Sequence, residues 1–322
     1  MTYVAIVGIA LTDSYYLGKL KTNPVTDFIE SSKHSEKYIV TPPAAADFVI
    51  CVDTIFFQNR EVSFAELNRM LRKYGTRLRF YDSSDQPRPV LPGGYTSLES
   101  KRVLPGYNCS VPYIRNHSDL VCLRGEQSRD LLWSFSGSVG HSKSRGFGIR
   151  NRILKLQDTF SEVVDTTSLP MWTYDNQSLT AQHNAAENMV HQMRRSKYVA
   201  CPRGGGASSF RFFEAIANLS VPVLISDEWV LPNIPKLNEA IVRLPESRVE
   251  DLSSVLLLEE PNYERRIKLL NSVYCEYLSP ERIFDTVVSS IIDCEPVFGT
   301  LPLDILNSRV KLLCKKFLGK QC

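Results

Sequence analysis

Cys201-Pro202-Arg203-Gly204-Gly205-Gly206-Ala207-Ser208-Ser209-Phe210-Arg211-Phe212-Phe213-Glu214-Ala215-Ile216, followed by Val221-Pro222-Val223-Leu224-Ile225-Ser226-Asp227, reads as strand, loop, helix and strand. An apolar strand ends in an arginine and three glycines, two serines open a helix, and a carboxylate sits a little over one turn inside it. Such a unit can hold a diphosphate. Glycines let the backbone approach an anion and aim successive N–H groups at it, and the first helical turn adds unpaired donors and the positive end of its dipole. Arg203 and Arg211 add fixed positive charge. With Ser208 or Ser209 as N-cap, Glu214 lies about five residues in, roughly 7 Å along the axis at about 1.5 Å per residue. That is the reach from a diphosphate to the hydroxyls of its ribose, for which a carboxylate is a good acceptor.

Outward from this unit, apolar strands alternate with helical stretches. In the first half, strands are expected at 3–9, 48–52 and 77–81, with a helix from about Ser63, where Glu66 completes a capping box, to Tyr74. The stretch 86–112, rich in proline and glycine, reads as loop or linker and as the domain boundary. In the second half, strands are expected near 132–136, 161–165, 198–202, 221–225 and 240–243, with helices near 148–157, 180–195, 209–219 and 248–258. Repeated βα units predict parallel sheets in two Rossmann-like domains, and 322 residues suit two at about 150 each.

The run from Cys201 through Trp229-Val230-Leu231-Pro232 resembles the signature of exostosin-like glycosyltransferases, glycosyltransferase family 47. Trp133-Ser134-Phe135-Ser136-Gly137 and Gly146-Phe147-Gly148-Ile149-Arg150-Asn151 are similar to that family's Phe-x-Gly loop and Arg-Asn helix start. Val242-Arg243-Leu244-Pro245-Glu246 resembles the strand and helix start that follow. Ala46-Asp47-Phe48-Val49-Ile50 and Ser110-Val111-Pro112-Tyr113 are similar to earlier landmarks, so the likeness spans roughly 40–290 and is stronger in its second half.

The resemblance implies an α/β protein of GT-B architecture, two Rossmann-like domains facing across a cleft. The expected division is an acceptor-side domain at 1–112, a nucleotide-sugar domain at 113–300 and a C-terminal amphipathic helix at 301–322 packing back. The implied activity is inverting transfer from a nucleotide-sugar, a UDP-sugar foremost, to a glycan or glycoconjugate acceptor. The alternative is a catalytically inactive nucleotide- or carbohydrate-binding homologue. Donor contacts are expected from Arg203, Gly204, Gly205, Gly206, Ser208, Ser209, Arg211 and Glu214, and from Gly137, Arg145 and Arg150 on the facing loop. That loop, Ser136 to Gly148, also carries Ser138, His141, Lys143 and Ser144, which suits a flap over phosphate. Arg211 serves equally well as the structural partner of Glu214. For the base, Asp82 follows a strand where the family often carries His-Asp; here Tyr81 precedes it. Asp53, Asp13 and Asp85 also end strands, and Asp82 and Asp85 read equally as caps of the turn before Pro87.

Other patterns narrow the function. Gly204 to Ser209 lacks a P-loop lysine, and Val7-Gly8-Ile9-Ala10 does not complete a dinucleotide fingerprint. With no Asp-x-Asp after a strand, the enzyme is expected to need no metal or other cofactor beyond the donor; Arg203, Arg145 and the helix dipole would neutralise the leaving diphosphate. His183 and His191 are eight apart, two helical turns, and His117 and His141 make no metal spacing either. A net charge of +3 with 43% hydrophobic and 23% charged residues gives no case for nucleic acid. The eight cysteines show no CxxC and read as reduced, mostly buried side chains. The sequons at Asn108, Asn116, Asn176 and Asn218 read as chance matches, Asn218 falling where a glycan would not fit.

Val4 to Leu11 reads as a strand rather than a leader, and no window approaches 18 apolar residues. Eukaryotic members of the family resembled are anchored in the Golgi. This chain is therefore expected to be cytoplasmic, bacterial or viral, with the Golgi lumen as the alternative for a eukaryotic chain without its anchor. In Leu303 to Phe317, Leu306, Val310, Leu313 and Phe317 oppose Arg309, Lys315 and Lys316, as in a helix packing back on the domains or, alternatively, lying on a membrane surface.

Overall fold

The computed structural model describes residues 1–8, 24–52, 64–85, 87, 89, 91–114, 128–139, 145–156, 158–169 and 176–295. The chain forms two compact units. The first comprises Met1–Ile114, Val230–Pro232 and the chain from Phe284; the second comprises Arg115–Trp229 and Asn233–Ile283. Each unit contains a parallel sheet in an α/β arrangement.

In the first unit the strands are β1 (Thr2–Gly8), β2 (Tyr38–Val40), β3 (Phe48–Val52), β4 (Leu78–Asp82), β5 (Gly93–Tyr95) and β6 (Asn108–Ser110), in the order β2-β1-β3-β4-β5-β6. Helices α1 (Pro24–Ser32) and α2 (Phe64–Tyr74) fall between strands. β3 is apolar and β4, which carries Arg79 and Asp82, is buried along its length, as in a parallel sheet covered on both faces. Val49, Cys51, Leu78, Phe80, Leu91, Tyr95 and Leu98 form the core with Met70 of α2.

The expectation of loop or linker at 86–112 is corrected here, because β5 and β6 extend the sheet inside it. A side chain on Gly93 would place its Cβ 2.0 Å from the Phe80 carbonyl oxygen, and one on Gly94 would meet Val111 and Ile291 within 2.8 Å. The two glycines thus belong to a closely packed strand.

The second unit has β7 (Leu131–Gly137), β8 (Ser161–Asp165), β9 (Ser196–Pro202), β10 (Val221–Ile225) and β11 (Val242–Arg243), in the order β11-β10-β9-β7-β8. Its helices are α3 (Arg145–Ile153), α4 (Asn176–Arg195), α5 (Phe210–Ala217), α6 (Leu237–Ala240), α7 (Leu252–Glu259) and α8 (Tyr263–Val273). Trp133, Phe135, Ile149, Val223 and Leu252 share one core. The indole N–H of Trp133 donates to Ser253 Oγ at 2.8 Å, and that hydroxyl donates to Asp158, so the buried ring keeps its polar edge satisfied.

The strand order doubles back between β7 and β9, a topological switch point, where ligands of such sheets bind beyond the carboxyl ends of the strands. The register pairs Trp133 with Tyr198 and Ser134 with Val199. Continued along both strands, it brings their last residues, Gly137 and Pro202, level.

The last described helix, α9 (Ile283–Ile292), packs in the first unit, although the sequence reading put residues up to 300 in the second half. Phe284 meets Phe28 and Tyr38 edge-on, and Asp285 accepts from Ser35 Oγ at 2.5 Å and from the Glu36 N–H at 3.2 Å. The proposed C-terminal helix, residues 301–322, lies outside the described residues. Among the described residues, no helix is long and apolar enough to cross a membrane.

α5 ends at Asn218, and Leu219 takes φ 54, a conformation that usually selects glycine. Arg129 compensates by donating to the carbonyls of Asn218 (3.2 Å), Leu219 (2.8 Å) and Ser196 (2.5 Å), so its positive charge sits on helix-terminal carbonyls. The Asn218 amide donates to Glu214 O and accepts from Arg194, leaving no room for a glycan. Arg129→Met, which keeps the stem and removes the donors, is expected to destabilise the second unit by about 2–4 kcal/mol, read as a lower urea midpoint by circular dichroism.

Candidate functional site

β9 ends against β10, and the Arg203 N–H extends the pairing by donating to Ile225 O at 3.0 Å. Beyond it the chain turns through the glycines. Gly204 and Gly205 keep partial exposure, while Gly206, Ala207, Ser208 and Ser209 are buried. Ser209 takes the extended N-cap conformation of α5 without a capping bond from its side chain. Phe212, Phe213 and Trp229 pack edge-on beneath the helix and fix its direction.

Arg203 folds back over its own loop. At 6% exposure, its Nε donates to Gly206 O at 3.3 Å, and its Nη1 lies 2.8 Å from Glu228 Oε2 and 3.8 Å from Glu246 Oε1. Glu246 accepts the Asp227 N–H while its own N–H donates to Asp227 Oδ1, both at 3.0 Å. Ser226 Oγ donates to Ala207 O at 2.7 Å. The loops after β9, β10 and β11 are thereby tied together.

The loop after β7 joins them through Arg150, whose Nη1 donates to Ser138 O at 2.9 Å and whose Nε donates to Arg203 O at 3.1 Å. The first turn of α3 touches the glycine loop: a Cβ on Gly146 would lie 1.9 Å from Gly204 O, and one on Gly204 would lie 3.0 Å from Arg150 Nη2. Gly137, the last residue of β7, accepts the Thr166 N–H at 3.2 Å.

The structure pairs Arg211 with Glu214 at 2.5 Å, the structural alternative left open by the sequence. Glu214 is 7% exposed. Burial pushes the neighbouring Cys201 thiol well up, with Arg211 opposing and Glu214 adding to the shift.

Arg203, Gly204–Gly206, Ser208, Ser209, Gly137 and Arg150 therefore meet at the switch point, and Arg211 with Glu214 stands on the helix leading from it. Arg145 begins α3, but its side chain lies outside the description, as do Asp13, Asp53, His117, His141, Lys143 and Ser144. Asp82 closes β4 at 1% exposure, with Oδ1 accepting the Ser84 N–H at 2.7 Å, the geometry of a turn cap. Asp85 is exposed. The reading of residue types missed Glu228 and Glu246 as holders of Arg203, and Asp227 as the partner of Glu246. Their signal was present, since each carboxylate lies just beyond the end of β10 or β11.

The family model described as the Exostosin GT47 domain matches residues 90–257. The chain is similar to the Exostosin-1 homolog of Caenorhabditis elegans, 28% identical over 180 residues that cover 52% of this chain and 46% of that protein. It is also similar to a probable glycosyltransferase of Arabidopsis thaliana, 28% identical over 130 residues covering 37% and 28% respectively. The chain thus spans less than half the length of these curated relatives. Among solved structures, WaaG, a glycosyltransferase involved in lipopolysaccharide biosynthesis, gives a TM-score of 0.40 at 10% identity, over 88% of this chain and 99% of that one.

Because any side chain at Gly146 runs into Gly204 O, Gly146→Ala is expected to lower the thermal midpoint and to speed amide hydrogen exchange across residues 203–209. Unchanged exchange there would contradict the close approach.

Proposed function

The chain belongs to the Exostosin GT47 domain family, and from that premise we propose that it is a glycosyltransferase holding the diphosphate of a nucleotide-sugar at the glycine loop between β9 and α5. The observation that supports this reading is the convergence of that loop, the N-terminus of α5 and Arg150 at the β7/β9 switch point. Backbone N–H groups fixed in place before the reaction stabilise the charge that develops on a departing diphosphate. Arg203 contributes mainly by shaping the loop, because Glu228 and Glu246 already match its charge. Arg150, oriented by two neutral carbonyls, brings positive charge to the same edge. Glu214 is the acceptor for the ribose hydroxyls, with Arg211 aligning its carboxylate.

On this reading the donor is a UDP-sugar, the acceptor a hydroxyl of a glycan or glycoconjugate, and transfer inverts the anomeric carbon. Arginine and helix dipole replace a divalent cation. Asp82 and Asp53 are the proposed bases. A second reading, a nucleotide- or carbohydrate-binding homologue without turnover, draws support from the engagement of the Asp82 carboxylate in its own turn.

UDP is expected to raise the thermal midpoint through binding to the folded state alone, and Arg203→Ala or Glu214→Ala to weaken that binding about 10–100-fold while the protein stays folded. An unaltered shift in both variants would remove the clamp. In a second measurement, UDP release from UDP-sugars with a glycan acceptor is expected to persist in chelator. Saturable binding without release supports the silent homologue. Asp82→Asn is expected to keep UDP binding and stop release; retained release moves the base elsewhere.

A further inference from the structure

In the first unit, away from the glycine loop, Cys109 of β6 and Cys294, two residues past α9, bring their sulfurs to 3.5 Å across a sequence separation of 185. The pair sits in a defined cage. Cys109 Sγ lies 3.4 Å from Ser290 O, and Cys294 Sγ lies 3.5 Å from both Gly93 O and Ser290 O. Cys109 keeps partial solvent exposure and Cys294 is buried. Arg79 of β4, 4% exposed, stands close enough to stabilise negative charge on Cys294, and its Nε has no hydrogen-bond partner among the described residues.

We propose that Cys109 and Cys294 form a redox-active dithiol that closes to a disulfide when the protein meets a hydroperoxide. A disulfide needs its sulfurs at about 2.05 Å, so closure draws the two sulfurs together by about 1.5 Å from their 3.5 Å contact. The hydrogen bond shared with Cys109 holds the Cys294 thiol below the usual thiol range, with Arg79 acting in the same direction against burial. The same hydrogen bond, then burial, pushes the Cys109 thiol up. Cys294 is accordingly the attacking thiolate and Cys109 the resolving thiol.

In the first step the Cys294 thiolate attacks one oxygen of hydrogen peroxide. The O–O bond breaks, the sulfur becomes a sulfenic acid, and hydroxide leaves to take up a proton. Cys109, as its thiolate, then attacks the sulfenic sulfur. The S–S bond forms, the S–O bond breaks, and the second hydroxide takes up the proton that Cys109 gave. Two electrons pass from the two thiols to the peroxide, and both thiol protons end in two waters.

The crosslink would join two places where the chain passes between units: Cys109 lies just before the exit at Ile114, and Cys294 follows the return at Phe284. It would close a loop containing the whole of the second unit's sequence, and a constraint on so long a loop acts strongly on the unfolded chain.

The test is to treat the full chain with hydrogen peroxide, alkylate the remaining thiols and map the peptides by mass spectrometry. Expected is a peptide containing Cys109 linked to one containing Cys294 and released by dithiothreitol, with a thermal midpoint about 5–10 °C above that of the reduced protein. Cys109→Ser and Cys294→Ala should each remove the linked peptide, and two independent variants cover the case in which one fails to fold. The proposal is overturned if both thiols remain alkylatable after the exposed Cys275 has been oxidised, or if the map joins either one to a different cysteine.

Discussion

A guanidinium at 6% exposure must be matched by negative charge, or it would draw the loop that carries it back toward water. Taking such an ion out of water costs several kcal/mol, and Arg203 offsets that cost with Glu228 at 2.8 Å and Glu246 at 3.8 Å. Those carboxylates follow different strands, so satisfying the one charge fixes the relative positions of three loops. Glu246 is engaged twice, once with Arg203 and once in the reciprocal pair with Asp227. The geometry of the glycine turn follows from this ion network as much as from the glycines.

The second constraint is steric. Gly146 approaches the Gly204 carbonyl so closely that its site has no room for a methyl group, and Arg150 bridges the same two segments through carbonyls. Charge pins the turn from the β10 and β11 side, and backbone contact pins it from the β7 side. A turn held on both sides presents its N–H groups in one arrangement, and preorganisation of that kind lets backbone donors act on a developing negative charge without reorganising first.

The second unit was legible because its central strands β9 and β10 are buried and mostly apolar and its turns are marked by glycine and proline. β9, β10 and α5 fall within a residue or two of the positions read from periodicity. The first unit was less so. Gly93-Gly94-Tyr95 carries the composition of a loop, and only its contact with Phe80, Val111 and Ile291 shows why a strand needs two glycines there. Asp82 illustrates a different limit: its place at a strand end was readable, but whether its carboxylate faces a ligand or its own backbone depends on a side-chain torsion that no spacing rule encodes. For the partners of Arg203 the position at strand ends was readable, but their pairing with it was not. Residues 228 and 246 are far from 203 in sequence, and only the strand order sets the loops after β9, β10 and β11 side by side.

The return of the chain to its first unit through α9 bears on synthesis at the ribosome. Phe284, Val287, Val288 and Ile291 belong to the buried interior of a unit whose sheet strands are all made by residue 110. The six strands must therefore wait, their apolar surface incompletely covered, while roughly half the protein is still being translated. Every element of the second sheet emerges in the meantime, so the later-encoded unit can finish folding before the earlier one. A nascent chain stalled shortly before Phe284 would expose that unfinished surface to chaperones.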